Sequence, residues 1–188
     1  MPRQRGFTLV ELMVTVAVMA IVLGLAVPNF EPTINASRLT GSANELVAAL
    51  QTARMEAIRR NRRIAVCPSI DAEADAPSCS AADASGWLVF VDADRSGAFN
   101  AGDTLLRRSV SASRVRIAGS PAAASGVVFR PDGLARDTSG GLLDAVIDLC
   151  IPGTSPPSNV RHLAIGSGSR ISVSSGSNPA CAQPGDPL

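Results

Sequence analysis

The order of apolar and polar positions divides the chain into three stretches. From Phe7 to Val27 nearly every residue is apolar, and Glu11 is the only charge. From Asn35 to Arg63 the apolar positions recur at three- and four-residue steps (Ala43, Leu46, Val47, Leu50, Ala53, Ala57), which predicts an amphipathic helix with one stripe to bury. Beyond residue 63, short apolar runs alternate with Gly, Pro, Ser and Asp. They predict strands at Arg63–Cys67, Trp87–Asp92, Thr104–Arg108, Arg114–Ala118, Gly126–Arg130, Ala145–Ile151, Val160–Ile165 and Arg170–Ser174. Short strands so closely spaced pair antiparallel, and the sheet is the natural cover for the helical stripe, so the expected class is α+β. Residues 68–86 read as a polar loop. The Ser/Gly/Pro-rich end, Ser174 to Leu188, needs an anchor to be ordered.

The first stretch is about 20 residues, the length that crosses a bilayer as a helix. Arg3 and Arg5 precede it, which places the N-terminus in the cytoplasm and the remainder outside. A secretory signal has a shorter apolar core and a small-residue cleavage site after it. Here the small residue, Gly6, precedes the core, so cleavage there would leave the helix on the mature protein. Pro28 lacks a donor and its ring clashes with the preceding turn, which predicts a kink or break near Val27–Asn29. The expected segments are a leader at 1–6, a membrane-spanning helix at 7–30, an amphipathic helix at 31–63 and a β-rich domain at 64–188.

Glu11 costs roughly 2.5–3.5 kcal/mol inside a span and therefore calls for a partner. After cleavage at Gly6, the new α-amino group of Phe7 would be a cation at the same depth, and the amine of a neighbouring copy can neutralise Glu11. The alternative is a carboxylate held by its own helix N-terminus and reaching toward the interface.

Composition changes this picture little. The 188 residues suffice for one domain with an anchor, and the net charge of +1 gives no global field toward nucleic acid or an acidic substrate. All 17 basic residues are arginines. Cys67, Cys79, Cys150 and Cys181 all follow the apolar stretch, in a region where an oxidising compartment would favour disulfides. A zinc site would call for closer cysteine pairs and for more than the single His162. Of the three pairings, Cys67–Cys79 with Cys150–Cys181 closes the shortest loops.

The run Arg5-Gly6-Phe7-Thr8-Leu9-Val10-Glu11 resembles the processing site of type IV prepilins and type II secretion pseudopilins. The resemblance implies cleavage between Gly6 and Phe7 by a prepilin peptidase, N-methylation of Phe7, and Glu11 guiding docking into a filament. Pro28 falls where these proteins carry a helix-bending proline. Gly86-Trp87-Leu88-Val89-Phe90, Asp92-Ala93-Asp94-Arg95-Ser96-Gly97, Gly102-Asp103-Thr104-Leu105-Leu106-Arg107, Val128-Phe129-Arg130-Pro131-Asp132-Gly133 and Leu149-Cys150 resemble the GspH/FimT branch. That branch implies a pilin-like fold: a long N-terminal helix, membrane-spanning in its first half and amphipathic in its second, packed on a small antiparallel β-sheet domain. It implies a minor pilin or pseudopilin that helps initiate or cap a type IV pilus or type II secretion pseudopilus. The partners would be other pilins or pseudopilins, the inner membrane and the peptidase, with the C-terminal domain in the periplasm.

Other constellations point to binding. Asp92, Asp94, Ser96, Asn100 and Asp103 occupy positions one, three, five, nine and twelve around Gly97, close to an EF-hand calcium loop. Asp in place of the twelfth-position Glu, and strand-like flanks, favour an Asp/Gly hairpin connection instead. Calcium is the one cofactor suggested. DNA-binding FimT-like pilins carry a Gly-Arg-x-Arg element near residue 170. Here Arg170 is followed by Ser172 where the second arginine would be, and Arg161 and His162 are candidates to stand beside it on an adjacent strand. This makes DNA uptake the alternative function, with Arg161 and Arg170 as contacts. Arg59, Arg60, Arg62 and Arg63 suit a helix C-terminus and form a candidate anion patch. His162 has no catalytic partners in the sequence, and Gly166-Ser167-Gly168-Ser169 lacks the strand-to-helix setting of a nucleophile elbow. No enzyme is expected.

Overall fold

The computed structural model describes residues 6–187 except 83 and 138, and for residues 25–29 the backbone alone. Among the described residues one α-helix, α1 (Leu9–Arg60), is followed by nine strands and a short 3-10 turn at Pro121–Ala123. Thr8 caps α1: its hydroxyl accepts from the Glu11 N–H at 3.2 Å, and the Glu11 carboxylate reaches back to the Thr8 N–H at 3.5 Å. At the other end Asn61 takes a left-handed conformation (φ 52°, ψ 41°). Its N–H donates to the Ile58 carbonyl at 3.3 Å and the Arg62 N–H to the Ala57 carbonyl at 3.2 Å, with asparagine in the glycine position of a Schellman motif. The helix therefore stops at Arg60 and not at Arg63. The break expected near Pro28 is absent, and α1 stays helical past both Pro28 and Pro32. Each proline removes one backbone donor but leaves the turns on either side bonded.

The strands of the expected antiparallel β domain form two sheets. The first has the order β3 (Thr104–Val110), β2 (Gly86–Val91), β1 (Ile64–Ser69), β5 (Val127–Phe129), β6 (Ala135–Arg136). The second has the order β4 (Arg116–Gly119), β7 (Ala145–Cys150), β8 (Val160–Ile165), β9 (Ile171–Gly176). A bridge between Ala84 and Ile117 joins them. Leu39, Ala43, Leu46, Ala49, Leu50, Ala53 and Ala57 of α1 are buried against the inner faces of both sheets, with Ile64, Val66, Trp87, Val89, Phe129, Leu149 and Leu163. Val47 is only partly buried at the edge of this stripe.

The first sheet is covered on its second face as well. Ala65, Cys67, Leu88, Phe90 and Val128 form a smaller core there with Ala72, Cys79 and Phe99. Phe99 meets Phe90 edge-on, with ring centroids 5.3 Å apart. This second cover explains why Trp87 to Val91 is an unbroken apolar run and not an alternating one. The Cys67–Cys79 and Cys150–Cys181 disulfides both form. The C-terminal tail is ordered by more than Cys181: the Asn178 N–H donates to Asn159 Oδ1 at 2.8 Å, and the Gln183 amide donates to the Gly119 carbonyl at 2.8 Å.

Candidate functional site

The globular domain covers only part of α1. Among the described residues its lowest ties are Arg114 to Glu31 at 2.8 Å and the Asn35 amide to the Ser155 carbonyl at 3.2 Å. The guanidinium of Arg114 holds the Glu31 carboxyl below its usual range. Below these ties, Leu9, Val10, Leu12, Met13, Val14, Val16, Met19, Ile21 and Leu23 are all exposed, as is Phe7 at 80%. They point in every direction around the helix, so no single face is spared. A helix apolar all round is a helix meant to be surrounded. At its head are Gly6, which is exposed, and the Thr8–Glu11 capping box. Glu11 thus meets backbone and hydroxyl donors of its own chain, the alternative weighed from the sequence, while both carboxylate contacts to Thr8 are long at 3.5 Å. Arg3 and Arg5 lie outside the described residues. Among the described residues no helix is long and apolar enough to cross a membrane; the described side chains of the apolar half stop at Gly24.

The aspartate loop between β2 and β3 closes on itself. The carboxylates of Asp92, Asp94 and Asp103 approach within 4.8 Å of one another. Each already takes donors from the protein. Asp92 accepts from Arg63 Nε at 3.1 Å and from the Gly97 N–H at 3.3 Å. Asp94 accepts from the Ser96 N–H at 2.9 Å and from the Asn100 amide at 2.8 Å. Asp103 accepts from the Ala93 and Asn100 N–H groups at 2.9 and 3.1 Å. Asn100 therefore serves as a donor to Asp94, and the Ser96 hydroxyl donates to the Ala98 carbonyl at 2.9 Å. The residues fit a hydrogen-bonded hairpin connection; calcium would have to displace these donors, Arg63 among them.

The two arginines proposed for DNA are not brought together. Arg170 is exposed in the β8–β9 turn beside Gly166, whereas Arg161 lies at the far end of β8, opposite Ser175. Four residues of strand separate the Arg161 and Ile165 positions, roughly 13 Å. Arg161 is also occupied: it donates to the Ser158 and Val160 carbonyls at 3.0 Å and to the Thr40 hydroxyl at 3.4 Å. His162 points to the other face of the sheet, where its Nδ1 lies 2.6 Å from Asp148 Oδ1. That buried Asp148 partner was missed from the sequence; the cross-strand register alone makes the two neighbours. The arginine cluster splits as well. Arg59 and Arg60 both bind Glu56 and lower its carboxyl to about 2, while Arg63 turns to Asp92.

An apolar half-helix left uncovered by its own domain, headed by Gly6-Phe7 and a capped glutamate, with the other half docked on a disulfide-bonded double sheet, defines a pilin-like subunit. The comparisons agree. The family described as "Type II transport protein GspH" matches residues 42–177, and the "Prokaryotic N-terminal methylation motif" matches residues 1–27. The chain belongs to this GspH family, which covers most of its length. It is 31% identical over 100 residues to "Pilin-like protein PilA1" of Thermus thermophilus, which covers 53% of this chain and 56% of that protein. It is 38% identical over 64 residues to a "Fimbrial protein" of Pseudomonas aeruginosa, covering 34% and 41%. The chain thus spans about half the length of the curated relatives it matches. Its fold is shared with the crystal structure of the type IV minor pilin FimU of Pseudomonas aeruginosa: the TM-score is 0.50 at 24% identity, covering 74% of this chain and 90% of that one.

Proposed function

We propose that the chain is a filament subunit of the inner membrane, cut between Gly6 and Phe7 by a prepilin peptidase, N-methylated on Phe7, and recruited to the start or cap of a type IV pilus or type II secretion pseudopilus. One observation carries this reading: the apolar side chains of α1 from Leu9 to Leu23 are exposed on every side while the domain beyond Glu31 is closed. A bilayer first, and the equivalent helices of other pilins or pseudopilins afterwards, supply the missing cover. The N-terminus then starts in the cytoplasm and the β domain folds in the periplasm, where both disulfides can form. Glu11 is held only weakly by Thr8 and exchanges that contact for the Phe7 amine of a neighbouring subunit.

The test is the intact mass of the protein from its native membrane. A chain that begins at methylated Phe7 supports the reading, and a chain that retains Arg5-Gly6 in cells with active prepilin peptidase overturns it. In processed material, Glu11→Ala should leave the folded domain unchanged and abolish co-purification with the other pilins.

A further inference from the structure

At the pole of the domain opposite the apolar half-helix, the end of α1, the aspartate loop and the β5–β6 turn enclose a cleft of about 360 Å³. Arg62, Arg63, Arg95 and Arg130 line it, together with Asn61 and Asp92. The Asp92 side chain is fully buried, and its charge is taken up by Arg63 at 3.0 Å. Among the described residues, the guanidinium groups of Arg62, Arg95 and Arg130 make no hydrogen bond or ion pair. Asp132 pairs with Arg136 at 3.1 Å and feels the charge of Arg130 only at longer range, and Asp94 is engaged with Ser96 and Asn100. The carbonyls at the end of α1 would oppose an anion, but the N–H groups of Asn61 and Arg62 already cap two of them. Three arginines with no ion pair among the described residues thus line one concavity whose single carboxylate is neutralised, although the Arg130 guanidinium also packs against Gly140 and its charge acts on Asp132.

We propose that this cleft binds a phosphate-type oxyanion. The number of cations decides the class. One guanidinium satisfies a carboxylate by a two-pronged contact, whereas three forks around one cavity match the several oxygens and double charge of a phosphate. No aromatic side chain lines the cleft to stack a base, so recognition is of the phosphate and not of a nucleobase. The phosphate can come from a small phosphorylated solute or from the phosphodiester backbone of a nucleic acid. The inference stands apart from the filament reading, because the cleft lies wholly within the folded domain.

The experiment is calorimetric titration of the full-length chain in an uncharged detergent with inorganic pyrophosphate, with chloride at matched ionic strength as control. Saturable pyrophosphate binding is expected, falling about tenfold or more in Arg130→Ala and in Arg62→Ala. Among the described residues neither side chain makes a hydrogen bond or ion pair, so the melting curves without ligand should stay close to the parent. Arg170→Ala, outside the cleft, should bind as the parent does. A single-stranded oligonucleotide that competes with pyrophosphate assigns the site to a nucleic acid backbone; one that does not compete assigns it to a small phosphorylated solute. No binding, binding equal in the Arg62→Ala and Arg130→Ala variants, or preference for polyglutamate over pyrophosphate overturns the proposal.

Discussion

The buried carboxylate of Asp148 makes the stability of the second sheet depend on His162 and on pH. Asp148 lies on β7 directly across from His162 on β8, its side chain only 3% exposed, with His162 Nδ1 at 2.6 Å. Burial raises the Asp148 pKa above the usual aspartate value, and the hydrogen bond and charge of His162 pull it back. His162→Ala removes both compensating contributions. A fully buried pair would lose about 3–5 kcal/mol on such a change. His162 is 34% exposed, so water reaches the vacated site, and the expected cost at neutral pH is about 1–3 kcal/mol. The pH dependence follows from the direction of the shift. A group whose folded pKa is raised adds stability that is present below its unfolded pKa, about 3.9, and is lost as pH rises through the folded value. In the variant that folded value rises further. The deficit relative to the parent should therefore be small near pH 3.5 and grow until Asp148 is fully ionised. Urea unfolding followed by far-UV circular dichroism at a series of pH values reads this directly. In an Asp148→Asn background, His162→Ala should cost little, since no buried charge is left to orphan. A deficit independent of pH, or unchanged by Asp148→Asn, would refute the reasoning and reduce His162 to a packing residue.

Three further outcomes follow from the same geometry. Leu50, fully buried between α1 and the sheets, should cost about 2–5 kcal/mol as Leu50→Ala, read as a lower denaturation midpoint at unchanged m. Of the disulfides, Cys150–Cys181 spans 31 residues and Cys67–Cys79 spans 12, so loop entropy makes the loss of the first worth about 4 kcal/mol and of the second about 3. Melting of the two double-alanine variants tests that order, and a reversal would mean that packing of Cys67 in the smaller core outweighs loop length. Calcium at millimolar concentration should leave the melting temperature unchanged, because every carboxylate of the aspartate loop already has donors; a rise abolished by Asp92→Ala would instead make the loop a metal site.

The N-terminal motif was readable because it is local. An apolar run, a glycine before it and a glutamate within it need no knowledge of the fold, and the stripe from Ala43 to Ala57 is a helical period that packing then confirms. Strand positions were legible for the same reason, apart from β6, whose two residues carry no alternation. Pairing was not legible. Nothing in Trp87-Leu88-Val89-Phe90-Val91 says that the loop after β1 folds back to cover its outer face, nor that the strands divide into sheets of five and four. The expected proximity of Arg161 to Arg170 failed on this point, since the β8–β9 register separates them by the length of the strand. The helix end at Arg60 hung on Asn61 accepting a positive φ, a choice that asparagine permits but does not compel. That turn carries Arg62 and Arg63 out of the helix and into the wall of the polar cleft.

The prolines at 28 and 32 sit between the two functions of α1. Below them the helix is apolar on all sides; above them it is striped, and its first ties to the domain are Glu31 to Arg114 and Asn35 to Ser155. Both prolines fall where the domain's hold is just beginning and the uncovered half ends. A missing backbone bond weakens the helix least where another surface holds the chain and most where nothing does. An isolated subunit keeps α1 continuous through this point, since the turns on either side are bonded. In the proposed filament, where neighbours would grip the lower half and the domain the upper half, two absent donors one turn apart make this the segment at which the helix yields first if the two holds disagree in direction. Replacing both prolines with alanine should therefore stiffen α1 without altering the domain, and any loss of assembly that results would locate the need for bending in the filament and not in the subunit.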